Sequence, residues 1–403
     1  MKNYRKIKIG DVLDIKRGMS LAGEYYATEG KYIRLTLGNF NYPECGWKDN
    51  ITKENLYYSG PVRNEFLLKK GDIITPLTEQ VRGLLGNTAR IPKNNIYIQS
   101  GDIGLVIPDE TKINRNFAYY LISSRVVKRQ LDAGSQQTKI RHTCPEAIKD
   151  CVAFLPELSQ QQKIATILDF IENKIQNNIK INNNLEKQAM SLYDYWFTQY
   201  NFPDMDSKPY KLSGGILIYN NILKRNIPKD WIVAPISEHT NIYQPQTISN
   251  ELFNETYNYE VYGGGGLIGR YYEYNHKESE VIISCRGNCG NFYFTSPKSW
   301  ITGNAMVVNP KDENLSKYYL YHYFMRYGVK QYLSGSVQKQ LTRENLSIMN
   351  IVIPPKNILK AFDKIIKPIF DEILNHKLEI TKLNRLKNWL LPLLMNGQAT
   401  IDE

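Results

Sequence analysis

Two stretches of the chain carry an unbroken four-three alternation of seam positions. Ile164, Leu168, Ile171, Ile175, Asn178, Asn182, Leu185, Ala189, Leu192 and Trp196 form the first. Phe362, Ile366, Ile369, Ile373, His376, Ile380, Leu383, Lys387, Leu390 and Leu394 form the second. An average spacing of 3.5 residues keeps one stripe turned towards a partner helix, so the pattern predicts coiled-coil helices. Each covers about 35–40 residues and should be about 50–60 Å long. An amphipathic helix is unstable alone, so the two are expected to pack on each other. The polar seam residues Asn178, Asn182, His376 and Lys387 weaken such a core locally but can fix its register. Pro368 lies inside the second pattern and predicts either a kink or the point where the regular helix begins.

Outside the helices the pattern changes to short strand-like runs rich in Tyr, Ile, Val, Thr and Gly, such as residues 32–37, 96–98, 104–107 and 281–285. Short helical patterns occur near 117–131 and 318–332. The expected class is α+β with irregular sheets. The chain is also written twice. Residues 99–108 match 301–310, and 134–140 match 335–341. Gly71-Asp72-Ile73-Ile74-Thr75 answers 279–284, and each copy runs through a short apolar strand (151–155, 348–353) to a proline and then a long helix. A period near 200 residues makes each repeat a whole domain. The division expected is 1–156, a globular domain; 157–200, a central helix; 201–354, a second globular domain; and 355–403, a C-terminal helix. Residues 202–235, rich in proline and glycine, read as the linker into the second copy.

Charge sharpens this picture. The chain of 403 residues has a net charge of +11, and residues 1–156 alone carry +8, against −1, +2 and +2 for the three later segments. A polyanionic partner and a merely soluble basic surface both fit that balance. The basic N-terminus is followed by no apolar core of a secretory signal, and the strongly apolar run 389–395 is far too short to span a bilayer. Five scattered cysteines make no disulfide framework, so the expected compartment is the cytoplasm.

Several motifs lack the context that their chemistry needs. Gly264-Gly265-Gly266-Leu267-Ile268-Gly269 satisfies G-x-G-x-x-G but runs into Arg270-Tyr271-Tyr272, a strand-like stretch; a glycine turn allowing close backbone approach is the better reading. Cys285 and Cys289, with His276 nearby, have no second cysteine pair to complete a structural zinc site. Asp204, Asp206 and Lys208 are contiguous and read as a turn, not as a nuclease centre built from separate strands. No Asn/Asp-Pro-Pro-Tyr/Phe methyltransferase loop and no Walker A sequence is found.

What remains is chemistry for holding DNA. Gln136, Gln137, Lys139 and Arg141 in the first copy, and Gln338, Lys339, Gln340 and Arg343 in the second, put amides and cations at the same place in both repeats. Arg17, Arg34, Gln80, Arg82, Arg270 and Arg286 lie beside glycines or in strand-like runs from which loops can project. Glutamine suits adenine, arginine suits guanine and lysine suits phosphate. The alternative for any one of them is an ordinary solvated charge; as a set repeated in two domains they point to DNA.

The alternation of two variable α+β units with two coiled-coil helices closely resembles type I restriction-modification specificity subunits over essentially the whole chain. The first helix is entered by Leu158-Ser159-Gln160-Gln161-Gln162-Lys163-Ile164-Ala165 and ends in Tyr195-Trp196-Phe197; the second ends near Leu393-Leu394-Met395-Asn396-Gly397. The Gly-Ser-x-Gln segments at Gly134 and Gly335, the Gly-Asp-Ile-Ile at Gly71 and the stretch from Tyr262 to Gly269 look like that family's target-recognition domains. The resemblance implies two target-recognition domains separated by an antiparallel coiled coil, reading double-stranded DNA as two different half-sites with a gap set by the helical spacer. It implies that this chain is not an enzyme and that its helices dock two modification (methyltransferase) subunits, with restriction (motor-nuclease) subunits joining for cleavage. S-adenosylmethionine, ATP and Mg²⁺ would belong to those partners, none to this chain. Two rivals stay open on the residues alone: a single-chain enzyme acting on DNA, and a coiled-coil adaptor without DNA affinity.

Overall fold

A computed structural model describes the chain apart from residues 1–3, 43, 51–52, 135–140, 288, 336–338 and 402–403. It divides into two compact units, 1–178 with 379–403 and 179–378. The central helix Leu158–Tyr193 and the C-terminal helix Lys356–Met395 each contribute a segment to both units. No helix among the described residues is long and apolar enough to cross a membrane.

In the first unit the helix segments pair antiparallel: Asn178 donates to Glu379 at 2.7 Å, while Lys387 meets Glu172 at 2.7 Å. Ile164, Leu168, Leu394 and Met395 join the core beneath them. The second unit repeats the arrangement, with Asn182 donating to the Ile373 carbonyl and Tyr193 and Trp196 packed on Phe362. The polar seam residues are hydrogen bonded across the helix pair, and the coil that their spacing predicts is antiparallel, as the family resemblance implies. Pro368 neither starts the helix, which begins at Lys356, nor interrupts it. Its ring removes one backbone hydrogen bond, but the residue is exposed, so water can satisfy the carbonyl released, while buried Ile366 and Phe370 hold the turn in place. At the other terminus the central helix ends in a π-turn, Asp194–Thr198, closed by Gln199 N on Asp194 O at 2.8 Å.

Each unit has a four-stranded antiparallel sheet. The first runs Leu13–Arg17, Ile103–Pro108, Ile73–Pro76, Ala89–Arg90. The second runs Thr240–Tyr243, Ala305–Pro310, Val281–Ser284, Phe292–Phe294. The repeat holds at the level of single residues: Leu105 faces Ile74 where Val307 faces Ile282. Arg5–Lys8 pairs with Val152–Leu155, and Ile232–Pro235 with Asn350–Ile353, so each domain opens and closes on one ladder at the foot of a long helix. A smaller sheet with one parallel pair follows in both, Ile33 against Tyr97 and Val261 against Trp300.

The helical pattern near 117–131 resolves into Arg115–Ile122 and Arg125–Gly134, the former capped by the Asn114 side chain accepting from Phe117 N. Near 318–332 lie Lys317–Tyr327, capped by Ser316, and a 3-10 turn at Lys330–Tyr332. The stretch 202–235, expected as linker alone, contains a hairpin, Leu217–Asn220 with Arg225–Pro228. Within it Asp204 accepts from Asp206 N and Lys208 N at 2.9 Å each, so this acidic cluster is a turn.

Candidate nucleic-acid interface

The two sheets end in the same backbone framework. In the first domain Leu77 N donates to Asp102 O and Thr143 N to Leu77 O, both at 2.8 Å. In the second, Cys285 N donates to Asn304 O and Leu341 N to Cys285 O, both at 3.2 Å. These bonds bring three separate chain segments to one end of each sheet. Loops there have backbone groups already satisfied and side chains available to project, the arrangement on which recognition surfaces are commonly built.

At the first end stand Arg17, Gln80, Arg82 and Arg141. Arg17 is exposed and its guanidinium reaches Thr143 O at 3.4 Å; Gln80 is also exposed. Arg141 is mostly buried between Glu79 at 3.0 Å and Asp132 at 2.5 Å. Arg82 shares Asp132 at 2.8 Å but leaves most of its own side chain in solvent. Hydrogen bonds and charge from both guanidiniums hold the Asp132 carboxyl down at about 2. Arg141 therefore braces the loop, and Arg82 sits at its rim.

At the second end stand Arg286, Lys339 and Gln340, all exposed. Cys289 Sγ donates to Lys339 O at 2.9 Å, tying two of the loops together, and the Gln340 backbone exchanges hydrogen bonds with Ser334. The glycine-rich motif is the hairpin turn between Tyr259–Gly263 and Gly266–Tyr271. A Cβ on Gly264 would stand 2.9 Å from Arg286 O, so a bare backbone is needed for the turn to lie against this loop. A strand, not a helix, follows the motif, which removes the dinucleotide reading.

The remaining arginines are differently placed. Arg34 is 8% exposed, hydrogen bonded to Asn55 O and Oδ1 at 3.1 Å and stacked 3.8 Å from the Tyr26 ring. Arg270 bonds Asn258 O at 3.0 Å and pairs with Glu260 at 3.4 Å. Both guanidiniums are committed inside the fold. Arg343, at the start of the helix Arg343–Ser347, is exposed and lines a groove with Tyr243 and Lys311. Gln136, Gln137, Lys139 and Gln338 lie outside the described residues.

The framework adds a residue that the sequence did not single out. Lys16 faces Leu105 and Tyr243 faces Val307, so the next residues, Arg17 and Gln244, occupy equivalent positions. Gln244 donates to Cys285 Sγ at 3.0 Å and Gly303 O at 3.2 Å. Unequal insertions between matched strands hide this pair in the sequence. The framework also moves the match after the glycine loops by three residues: Thr143, not Ile140, is the counterpart of Leu341, which sets Arg141 against Lys339.

Comparisons with known proteins agree with this duplicated architecture. The family model for the type I restriction modification DNA specificity domain matches residues 1–187 and again 228–388. The MjaIX type I restriction enzyme specificity subunit of Methanocaldococcus jannaschii is 24% identical, covering 100% of this chain and 94% of that protein. The HindI specificity subunit of Haemophilus influenzae is 21% identical over 82% of this chain and 87% of its own length. The fold is similar to that of the crystallised type I restriction-modification S subunit from M. genitalium, with a TM-score of 0.59 at 16% identity, covering 98% of this chain and 96% of that one.

Proposed function

The chain belongs to the type I restriction-modification DNA specificity family, and from that premise we propose that its two domains read the two halves of one bipartite DNA target. A specificity subunit recognises its target and leaves catalysis to other subunits. The observation that carries the two-half-site reading is the shared framework with different side chains on it. Exposed Arg17 in the first domain stands where Gln244 stands in the second, and exposed Lys339 in the second stands where the first has Arg141, which is held inward by Glu79 and Asp132. Guanidinium, amide and ammonium groups prefer different base edges and phosphates, so equivalent loops with different donors favour different bases.

The helical spacer would set the gap. Helices of 36 and 40 residues are each about 50–60 Å long, longer than the roughly 34 Å of one duplex turn. Modification subunits would dock on this chain and carry S-adenosylmethionine; restriction subunits would carry ATP and Mg²⁺; this chain would bind no cofactor, in the cytoplasm. The test is methylome sequencing of cells expressing this chain with its modification subunit. Two unlike half-sites separated by a fixed gap are expected, and a single continuous motif would defeat the proposal.

A further inference from the structure

The family model passes over residues 188–227, and the structure puts an unusual surface there. The hairpin Leu217–Asn220 with Arg225–Pro228 forms a two-stranded sheet, and among the described residues its first strand pairs with nothing else. Residues 212–223 contain no charged side chain. Leu212, Ile216, Ile218, Tyr219 and Ile222 are between 47% and 74% exposed. An uncharged apolar edge is a standing invitation to association, and chains that work alone interrupt such edges with charge or proline.

This hairpin is nevertheless well built. Ile227 is buried in the core of its unit, with Leu217 and Leu223 packed against it. The Asn220 side chain accepts from Ile222 N and Leu223 N at 3.0 Å each, and the Tyr210 hydroxyl donates to Ile216 O at 2.9 Å. The apolar row is therefore held out on a fixed support.

Charge selects what covers it. Residues 207–229 hold Lys208, Lys211, Lys224, Arg225 and Lys229; Asp206, 4.0 Å from Lys208, and exposed Asp230 bound the stretch, so the cationic excess rests on Lys211, Lys224 and Lys229. Arg225 is spent on Tyr327, whose hydroxyl it meets at 2.7 Å; Lys211, Lys224 and Lys229 are exposed around the apolar row. An apolar centre with a cationic rim has the anatomy of a protein interface whose other side is acidic. A second copy of this chain would set like charges together, and duplex DNA would leave the isoleucines unpaired.

We infer that this hairpin is a docking site for an acidic-rimmed apolar face of the modification subunit. The inference rests on the reading that this chain assembles with such a subunit, and names where. The test titrates the modification subunit of the same system into the full chain, following assembly by calorimetry and sedimentation. Ile218→Asp with Ile222→Asp should weaken assembly at least tenfold while thermal unfolding and affinity for target duplex stay as in the wild type. Lys211→Glu with Lys229→Glu should weaken it and flatten its salt dependence. Wild-type assembly by both variants would overturn the site, as would a loss of duplex affinity (a DNA contact) or a loss only of self-association (a second copy). Failure of the unaltered chain to assemble would instead overturn the reading beneath it.

Discussion

Glu172 and Lys387 meet at 2.7 Å across the helix pair of the first unit, with side chains only 11% and 8% exposed. Lys387 also donates to Glu44 O at 3.3 Å, so the ammonium ties both helices to the recognition domain. Removing one member of a buried pair strands the other without water, which costs about 3–5 kcal/mol. Lys387→Met should lower unfolding free energy by roughly that amount in denaturant titrations. Lys387→Met with Glu172→Leu should recover most of it, because neither charge then remains to be solvated. A single variant as stable as the wild type would show that the pair carries no such burden.

The exposed and committed arginines should separate cleanly in DNA binding. Arg286→Ala removes an exposed guanidinium at a sheet end. It should weaken target binding by about 1–3 kcal/mol if it reads a base. Lys339→Ala should weaken target and non-target duplexes alike and reduce the salt slope by about one. Arg34→Ala breaks two hydrogen bonds and a stacked ring, so its effect should appear in thermal stability ahead of duplex affinity. Fluorescence anisotropy across a salt series measures all three. Equal, salt-independent losses for Arg286 and Arg34 would contradict the assignment.

Acid should weaken the second unit through His322. Burial pushes this imidazole down to about 4 from its ordinary 6.5; it stacks on Tyr193, and Nδ1 bonds Tyr318 O at 2.7 Å. The folded chain thus holds His322 neutral where the unfolded chain would protonate it. Stability from this group is complete above pH 6.5 and is lost as pH falls towards 4, by about 3 kcal/mol at 1.36 kcal/mol per unit. Denaturant midpoints at pH 7.5, 6 and 4.5 should fall more steeply for the wild type than for His322→Phe. Parallel slopes would remove His322 as the cause.

The sequence made local periodicity legible and long-range partners illegible. The heptads gave the coil because every seam position repeats within one helix, and the matched strands gave the duplicated sheets because each match is a short contiguous run. Which arginines project was hidden, since Arg141 finds Glu79 across 62 positions and Arg34 finds Asn55 across 21. Gln244 was hidden behind unequal insertions. The hairpin at 217–228 has the sequence of a linker because prolines and glycines around it signal turns, and burial of Ile227 is a tertiary fact that no local pattern carries.

The seam asparagine should trade stability for alignment. Asn182 Oδ1 lies 2.8 Å from His376 Nδ1 and its amide donates to Ile373 O at 3.3 Å, with Glu372 3.2 Å from the other ring nitrogen. A polar group at such a position is satisfied in one alignment of the helices and unsatisfied in its neighbours, so it penalises slippage by a turn. Asn182→Leu alone leaves the imidazole without its seam partner and should destabilise. Asn182→Leu with His376→Leu replaces both by apolar volume and should raise the denaturant midpoint slightly, by about 1 kcal/mol in unfolding free energy. If alignment is what the pair enforces, the same double variant should modify its target more slowly, or with a less uniform gap, in methylome sequencing. A double variant that is more stable and equally faithful would assign register to the apolar seam alone.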